Sequence, residues 1–387
     1  MKKSSLLMCL ADPSGSPRPS RMINLLDKLG YSVDVLGFKA KGKINVNNFF
    51  TIPEYNQNKI INVQRYFYRI SSSILSRFGN AFKNLSIYFN NKSYRFESLY
   101  NIQFKKNYNL IVVEDLYLLP FALSVCDKAK ILFDAREYYP RQHEDSLIFR
   151  FINKPIVLMI CKKYLDKCDY LLTVSNGLQA AYLADFGVNM TVLRSVPNYK
   201  EMTIKKTSKD IIRMVHHGVA NKNRNLENMI KIVQNLDQRF TLDFYLVGNL
   251  SHVEKLKKAA AGCERINFLE PVSYEGIIPM LNNYDIGFYY LEPNGFNVTY
   301  CLPNKLFEFI QARLAIFVGP SPDMAELVNE FDCGFVCDEF SIVSAVNTLK
   351  RLNSDQIDRA RVNSDKASRV LCYEKESEKI TKLLSLN

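Results

Sequence analysis

Residues 302–309 read Leu-Pro-Asn-Lys-Leu-Phe-Glu-Phe, which places a lysine and a glutamate three positions apart. Pro303 suits the first turn of a helix, and the apolar residues after it recur at helical spacing. Lys305 and Glu308 would be neighbours on one helix face, near the end where unpaired backbone N–H groups attract anions. The pattern favours a phosphate site with a carboxylate beside it that accepts from hydroxyls. A solvated ion pair on an ordinary amphipathic helix is the alternative.

The elements around this helix indicate how it is positioned. Residues 284–290 read as a buried strand, residues 292–297 as a turn-rich loop, and residues 314–318 as another apolar strand, stopped by Gly319 and Pro320. The helix therefore opens just after the C-terminal end of a strand. Ligands bind at that edge in open α/β sheets.

This order of strand, glycine-containing loop, Pro-Asn-Lys-Leu-Phe-Glu helix and apolar strand resembles the donor-binding region of GT-B glycosyltransferases, nearest to glycosyltransferase family four. The resemblance covers most of the chain. It implies an α/β fold of two doubly wound Rossmann-like domains that face a cleft, with a C-terminal helix crossing back to the N-domain. By resemblance, Lys305 contacts the donor diphosphate and Glu308 the nucleotide ribose. Tyr300 stands where family members often carry a second acidic residue, so sugar recognition does not transfer.

A second basic position follows the apolar strand at residues 211–217, which runs into Gly218. Gly218 would let a ligand approach the strand end, and Arg224 lies near the start of the next helix, which suits a diphosphate. A solvated basic loop is the alternative. The family's additional arginine after the glycine is absent, since Val219 stands there. The predicted donor site is completed by Gly15, Gly248, Asn297 and Asn304.

In the first half of the chain, the loop at residues 12–21 follows the first predicted strand. It holds one glycine only, so it is no dinucleotide fingerprint, and a plain turn is one interpretation. Alternatively, Gly15 admits a ligand to the backbone while Arg18 and Arg21 offer donors to a phosphate or an acidic sugar. The resemblance supports this second interpretation, because the equivalent GT-B loop faces the cleft.

A further charged run, Asp134-Ala135-Arg136-Glu137, directly follows an apolar strand, with His143 behind it. An acid or base there could meet a substrate hydroxyl. The run is similar to the family's Asp-x-His-Glu, with Arg136 where histidine is often seen. We place Arg18, Asp134, Arg136 and His143 on the acceptor side, and count Glu137 with Arg224, Lys305 and Glu308 as catalytic. The alternative is that Asp134 and Glu137 cap the next helix and pair with Arg136 or Arg141.

The chain as a whole reads as globular. Its 387 residues, 47% hydrophobic and 23% charged, suit two domains, and the alternation of strand and helix signals predicts parallel sheets. We predict an N-terminal domain at 1–198, a nucleotide-sugar domain at 199–370 and a crossing helix at 371–387. The apolar run at residues 6–11 is too short for a signal peptide or a membrane span, which favours a cytoplasmic protein. Nine cysteines in no metal-binding pattern suggest reduced thiols.

Residues 59–107 stand out by charge. Nine Lys and Arg residues against one acid, Glu97, leave a net +8 of the chain's +12, and aromatic residues are interleaved throughout. This composition favours contact with an anionic inner-leaflet membrane. N-domain helices with a basic outer face are the plain alternative. Single-stranded nucleic acid would also suit basic and aromatic residues, but no nucleic-acid motif accompanies them, so no nucleic-acid partner is expected.

The combined expectation is a glycosyltransferase that moves a sugar from a nucleotide-diphosphate donor to a hydroxyl of a glycan or lipid-linked glycan. No Asp-x-Asp carboxylate pair accompanies the donor helix, so metal independence is expected, with charge on the leaving group met by basic residues. The resemblance implies retention of configuration and a role in bacterial surface polysaccharide synthesis. An epimerase or phosphorylase of the same fold, or a catalytically silent nucleotide-binding scaffold, are the alternatives.

Overall fold

The computed structural model describes residues 3–52, 59–105, 107–125 and 128–385, and divides into two units. Unit 1 comprises Met1–Leu193, Gly295–Asn297 and Leu383–Asn387, and unit 2 comprises Arg194–Asn294 and Val298–Lys382. The predicted boundaries at 198/199 and 370/371, and the predicted crossing helix, stay predictions. Lys106 and Cys126, which the sequence analysis counted, lie outside the described residues.

Unit 1 is built on a seven-stranded parallel sheet in the order β3-β2-β1-β4-β5-β6-β7. Its strands are β1 (Lys3–Met8), β2 (Tyr31–Gly37), β3 (Asn48–Thr51), β4 (Leu110–Val113), β5 (Lys130–Ala135), β6 (Tyr170–Thr173) and β7 (Thr191–Val192). The strand order changes direction between β1 and β4. Such a switch point creates a crevice at the carboxyl ends of the strands.

The helices of unit 1 connect these strands as crossovers. They are α1 (Pro17–Lys28), α2 (Lys59–Arg77), α3 (Lys83–Tyr94), α4 (Leu119–Val125), α5 (Lys154–Tyr164) and α6 (Asn176–Phe186). A π-helical turn, Phe149–Asn153, leads directly into α5. Two helices, α2 and α3, thus occupy the basic segment that the sequence singled out.

Unit 2 is built on a six-stranded parallel sheet in the order β10-β9-β8-β11-β12-β13. Its strands are β8 (Ile212–Ala220), β9 (Phe240–Gly248), β10 (Ile266–Leu269), β11 (Ile286–Tyr289), β12 (Ala315–Val318) and β13 (Gly334–Val336). The later helices are α7 (Glu227–Gln234), α8 (Leu250–Ala260), α9 (Ile277–Leu281), α10 (Phe296–Thr299), α11 (Asn304–Gln311), α12 (Pro322–Glu330), α13 (Ile342–Lys350), α14 (Ser354–Val370) and α15 (Tyr373–Ser385).

Both faces of the unit 2 sheet are covered, as the packing of β8 shows. Met214 belongs to one apolar cluster, with Phe244 and Phe288, and its neighbour Val215 belongs to another, with Phe309. Successive side chains of a strand point to opposite faces, so the two clusters lie on the two sides of the sheet. The prediction of two doubly wound parallel sheets is therefore confirmed.

Two strands were not predicted from the sequence, β3 and β13. Both are short, and the side chains of β13 are only partly buried, so neither has the continuous apolar run of a central strand. Within β13, a Cβ on Gly334 would lie 2.1 Å from the carbonyl oxygen of Ile316. That glycine marks close backbone approach.

Among the described residues, no helix combines the length and apolar character that crossing a membrane requires.

Candidate active site

Helix α11 carries Lys305 and Glu308 of the predicted phosphate site, and local packing fixes the position of the helix. Its backbone is extended at Pro303, which serves as the N-cap, so the helix begins at Asn304, one residue later than predicted. Phe309 on its buried face fills the space above Gly287 of β11, where a Cβ would lie 2.3 Å from the ring. Glycine on the strand thus allows the helix to lie directly against the sheet.

Lys305 projects over Gly218, near the C-terminal end of β8. A Cβ on Gly218 would lie 2.5 Å from Cε of Lys305 and 2.7 Å from Nζ, and the glycine has φ of +117°. The position therefore requires glycine both for its backbone conformation and for space. The sequence analysis assigned that space to a ligand, whereas the structure fills it with the lysine side chain.

Lys305 and Arg224 bring two positive charges together in unit 2. Burial, followed by the charge of Arg224, lowers the pKa of Lys305 to about 8, with Glu308 acting in the opposite direction. One terminal nitrogen of Arg224, Nη1, is buried without a hydrogen-bond partner. The Lys305 ammonium also lies 5.8 Å from the ring centroid of Tyr289. Among the described residues, neither cation forms an ion pair with a carboxylate, so an anion would complete the cluster.

The turn before α7 holds Arg224 in place. Residues Lys222–Arg224 form a single 3₁₀ turn, in which the side chain of Asn221 accepts a hydrogen bond from the backbone N–H of Asn223 at 3.1 Å. Asn225 follows in the left-handed conformation, with φ of 45°. Lys222, which shares the turn, is exposed. The chain thus presents Arg224, not Lys222, to the cluster around Lys305.

Glu308 is buried and lies against a histidine that the sequence analysis did not select. Its Oε2 is 3.2 Å from Nε2 of His217, with side-chain exposures of 9% and 8%, but the two groups are not aligned for a hydrogen bond. The alternative of a solvated Lys–Glu pair is therefore wrong. The carboxylate retains accepting capacity for a further hydroxyl or N–H donor.

His216, the other histidine of β8, is fully buried. Its Nδ1 lies 3.0 Å from the carbonyl oxygen of Phe288, while Nε2 has no partner. Burial, and next the charge of Lys305, hold the pKa of His216 well below its ordinary value. A neutral imidazole thus stands behind the cations and adds no charge to them. The adjacent histidines before Gly218 were visible in the sequence as a signal.

Unit 1 carries a second charged cluster, at the carboxyl ends of β1, β4 and β5. Arg18 donates from Nε to Asp134 Oδ2 at 2.5 Å and from Nη2 to Oδ1 at 2.6 Å, and from Nη1 to the carbonyl of Leu193 at 3.0 Å. Asp134 is fully buried, and Arg18 nearly so. The alternative pairing of Asp134 with Arg136 or Arg141 is therefore wrong. Arg18 and Asp134 are each other's partner, which the sequence analysis did not predict.

Glu114, one residue beyond β4, is a member of this cluster that sequence reasoning missed as a site residue. It is fully buried, and neither carboxyl oxygen has a hydrogen-bond partner. Burial, and next the charge of Asp134, raise the pKa of Glu114 to about 8. The carboxyl group is therefore mostly protonated at neutral pH. Its only sequence signal was an acid at the end of an apolar strand.

The remaining acceptor-side residues lie in different surroundings. Arg136 lies 3.9 Å from the carboxylate of Asp115. Burial raises the pKa of that carboxyl group. Glu137 is partly buried, and its backbone carbonyl accepts from the hydroxyl of Tyr182. His143 is exposed, with its ring against Phe149. The structure thus joins Arg136 to the Glu114 cluster and gives His143 no described contact with it.

The other predicted donor residues are spread over the chain. Gly15 lies in an exposed loop, and Asn304 is exposed at the start of α11. Gly248 ends β9 with φ of +100°. Asn297 is grouped with unit 1, where its amide side chain accepts from the N–H of Tyr138 at 2.7 Å and donates to the same residue's carbonyl. Their assignment to the donor site stays a prediction.

Comparison with solved structures identifies the fold. The chain is similar to sucrose-phosphate synthase from Thermosynechococcus elongatus, with a TM-score of 0.68, 11% identity, and coverage of 100% of this chain and 99% of that one. It is similar to Anabaena HepE in complex with UDP and glucose, with a TM-score of 0.65, 12% identity and full coverage of both chains. A third similar structure is WaaG, a glycosyltransferase of lipopolysaccharide biosynthesis, with a TM-score of 0.61, 11% identity, and coverage of 97% and 98%.

These similarities show the GT-B fold, in agreement with the two doubly wound sheets. Identity of 11 to 12% shows the fold alone, because one fold can host many reactions. No protein-family model and no curated protein sequence matches the chain.

Proposed function

We propose that this protein is a glycosyltransferase that transfers a sugar from a nucleotide-diphosphate donor to a hydroxyl of a glycan or lipid-linked glycan. The observation that carries the proposal is the pair of partly buried cations, Lys305 and Arg224, without a carboxylate partner among the described residues. Two neighbouring positive charges that are partly shielded from water repel each other, and an anion between them stabilises both. A diphosphate supplies that charge.

The same pair supports a mechanism for the leaving group. As the bond between the sugar and the diphosphate breaks, negative charge grows on the diphosphate, and fixed cations in a dry environment stabilise that change strongly. Lys305 and Arg224 would supply this stabilisation without a metal ion. Retention of configuration, and placement near family four with a role in surface polysaccharide synthesis, belong to the proposal through the Pro-Asn-Lys-Leu-Phe-Glu resemblance.

We further propose that Glu308 accepts from the ribose hydroxyls of the donor. Its carboxylate is buried on the same helix as Lys305, one turn further on, and lies near His217 without a hydrogen bond. A buried carboxylate that keeps free lone pairs gains from a hydroxyl donor. The structure of HepE in complex with UDP and glucose supports a nucleoside diphosphate and a sugar as ligands.

The test is a panel of nucleotide sugars and free nucleoside diphosphates scored by thermal shift, because a ligand that binds the native state raises its stability. We expect at least one nucleoside diphosphate to raise the melting temperature of the native protein and of Lys222→Ala, which alters an exposed lysine on the same turn. Lys305→Ala should reduce the shift. No shift with any member of the panel would favour a silent scaffold.

Turnover distinguishes the enzymes that share the fold. A transferase consumes the nucleotide sugar only when a glycan acceptor is present. An epimerase converts the donor without an acceptor, and a phosphorylase depends on free phosphate. Activity that survives a chelator would support the metal-independent mechanism.

We also propose that the protein is cytoplasmic and associates peripherally with an anionic membrane through residues 59–107. Exposed aromatic side chains on this surface include Phe67, at 62%, and Phe78, at 63%. Other members of the segment hold its helices together: Arg65 donates to the carbonyl of Ser93, and Arg69 to the hydroxyl of Tyr94. Sedimentation with anionic but not neutral vesicles, reduced by salt, is the expected result.

A further inference from the structure

A basic groove in unit 1 lies between helix α2 and helix α5. It encloses about 690 Å³. Five of its lining residues are basic and none is acidic, the remainder being small or apolar: Ser76, Arg77, Gly79, Lys83, Arg150, Lys154, Pro155, Leu158, Met159 and Lys162. Three of the five cations lie outside the segment 59–107.

The groove forms because two acid-free stretches of the sequence meet in space. Residues 59–96 and 146–165 contain no Asp or Glu. The π-helical turn before α5 joins them, since the carbonyl of Phe151 accepts from Oγ of Ser73 at 3.1 Å and from Nη2 of Arg77 at 2.6 Å. On the α3 side, Lys163 donates to Asn84 at 2.7 Å. Backbone and amide acceptors, rather than carboxylates, hold the walls together.

The positive charge of the groove is therefore not cancelled locally. None of its five cations forms an ion pair with a carboxylate in the part of the chain that the structure describes. The charge of Lys154 contributes to the lowered pKa of Glu144, but the Glu144 carboxylate forms its ion pair with Arg141, at 2.5 Å. Burial, and then the charges of Lys167 and Lys83, lower the pKa of Lys163. A phosphate group would gain from this field.

Exposed apolar residues adjoin the lining of the groove in the sequence, and we call them its rim: Phe78, Phe82 and Phe151 are next to Arg77, Lys83 and Arg150. An apolar rim favours a lipid over a free phosphate. Phe78 and Phe151 are each 63% exposed, and Phe82, 45% exposed, has its ring 6.2 Å from that of Phe78. Leu147 and Ile148 are also more than half exposed, just before the π-helical turn. A soluble phosphate would leave these side chains in water, whereas a bilayer surface would receive them at the headgroup boundary.

We propose that this groove binds the headgroup phosphate of an anionic phospholipid while the aromatic residues of the rim enter the membrane interface. The proposal rests on the membrane association proposed above and adds a defined site to it. Basic side chains meet the phosphate in the groove, and the rim meets the acyl boundary around it.

The chain contains no tryptophan, so one introduced at the rim gives an unambiguous signal. In Phe151→Trp, we expect the emission to shift to the blue with phosphatidylglycerol vesicles and to be quenched by brominated lipid. Phosphatidylcholine vesicles alone should produce neither effect. Inorganic phosphate without vesicles should leave the emission unchanged.

Two double variants that remove the same amount of charge distinguish binding at the groove from the general electrostatic attraction of the protein to anionic vesicles. Lys154→Gln with Lys162→Gln removes two groove cations, and Lys255→Gln with Lys258→Gln removes two exposed lysines of α8 in unit 2. In the Phe151→Trp background, the groove pair should weaken vesicle binding roughly thirtyfold, since each basic residue at the surface contributes about a factor of five. The control pair should change it by less than about threefold.

The outcomes separate the two proposals. If vesicles do not bind the protein at all, the proposed membrane association fails, and the groove proposal with it. If vesicles bind but both pairs weaken binding equally, membrane association holds and the groove proposal is overturned. A response to inorganic phosphate equal to that with vesicles would overturn the lipid assignment. Nucleoside-diphosphate thermal shifts should be unchanged in the groove pair, which also reports correct folding.

Discussion

The two charged clusters, one in each unit, lie at equivalent carboxyl edges of parallel sheets but are balanced differently. In unit 1, Arg18 is held by Asp134 through two hydrogen bonds, and Glu114 is largely neutral at pH 7. In unit 2, Lys305 and Arg224 lie close together, with Glu308 turned toward His217. In unit 1, the arginine and the aspartate therefore form an ion pair with each other, whereas the two cations of unit 2 have no carboxylate partner among the described residues and could bind an anionic ligand.

This contrast indicates which cluster stabilises the fold and which binds a ligand. Removing one partner of a buried ion pair leaves the other charge desolvated and unpaired, so the unit 1 cluster should be sensitive in stability. Removing one of two repelling cations removes an unfavourable interaction from the folded state. Substitutions in the unit 2 cluster should therefore lower activity rather than stability. The four predictions that follow test this division, beginning with the largest effect.

Asp134→Ala should lower the free energy of unfolding by about 3–5 kcal/mol, because Arg18 would remain buried without its carboxylate. Chemical denaturation measures the change. Glu254→Ala is the matched control, since it breaks the exposed pair with Lys257 and should change stability by less than about 1 kcal/mol. Equal effects of the two substitutions would show that the buried pair contributes nothing special.

Lys305→Ala and Arg224→Ala should each reduce the turnover number about a hundredfold, roughly 3 kcal/mol of transition-state stabilisation, without lowering the melting temperature. Steady-state kinetics with the donor identified by thermal shift measure the effect. Lys222→Ala should retain nearly full activity. Normal turnover in the Lys305 and Arg224 variants would remove both residues from the site.

Glu308→Ala should weaken binding of the nucleoside diphosphate by about 2 kcal/mol, as expected for a lost hydrogen bond to a charged group. A 2′,3′-dideoxy nucleotide lacks the proposed donors, so it should bind the variant and the native protein about equally. Calorimetric titration of both nucleotides into both proteins measures the coupling. If the dideoxy nucleotide still distinguishes them strongly, Glu308 acts on another group.

Glu114 should make stability depend on pH in the direction opposite to that of an ion-paired carboxylate. Its folded-state pKa, about 8, lies above the ordinary value of 4.5, so between these values the folded state holds a proton that the unfolded state releases. The free energy of unfolding therefore falls as the pH rises from about 5 to 8. Glu114→Gln should remove this loss. Between pH 5 and pH 8, the free energy of unfolding of the variant should rise relative to that of the native protein by at least about 1.4 kcal/mol, the equivalent of one pKa unit.

Denaturation at pH 5 and at pH 8 measures that difference. Glu97→Gln, which changes an exposed acid of the same unit, should track the native protein to within about 0.5 kcal/mol at both values. If the difference in stability between Glu114→Gln and the native protein is the same at pH 5 and at pH 8, Glu114 does not hold the extra proton in the folded state.

Prediction from the sequence succeeded where the signal was local. The apolar strands, the helix at residues 304–311 and the alternation that builds two parallel sheets follow from hydrophobic period and turn residues, so they were readable without a structure. Strands β3 and β13 were not predicted, because short, partly buried edge strands show little of the hydrophobic pattern that identifies a strand. Glu114 escaped because nothing in its neighbours reports that both of its oxygens are buried.

The sequence by itself determined the fold class, the helix that presents Lys305 and Glu308, and the excess of positive charge at residues 59–107. Tertiary structure alone decided which charges meet. Lys305 lies over Gly218 and beside Arg224, while Arg18 meets Asp134, because crossover connections bring distant strand ends to one edge of each sheet. Hydrophobic period is set over a few residues, but the pairing or isolation of a buried charge depends on contacts between residues far apart in the chain.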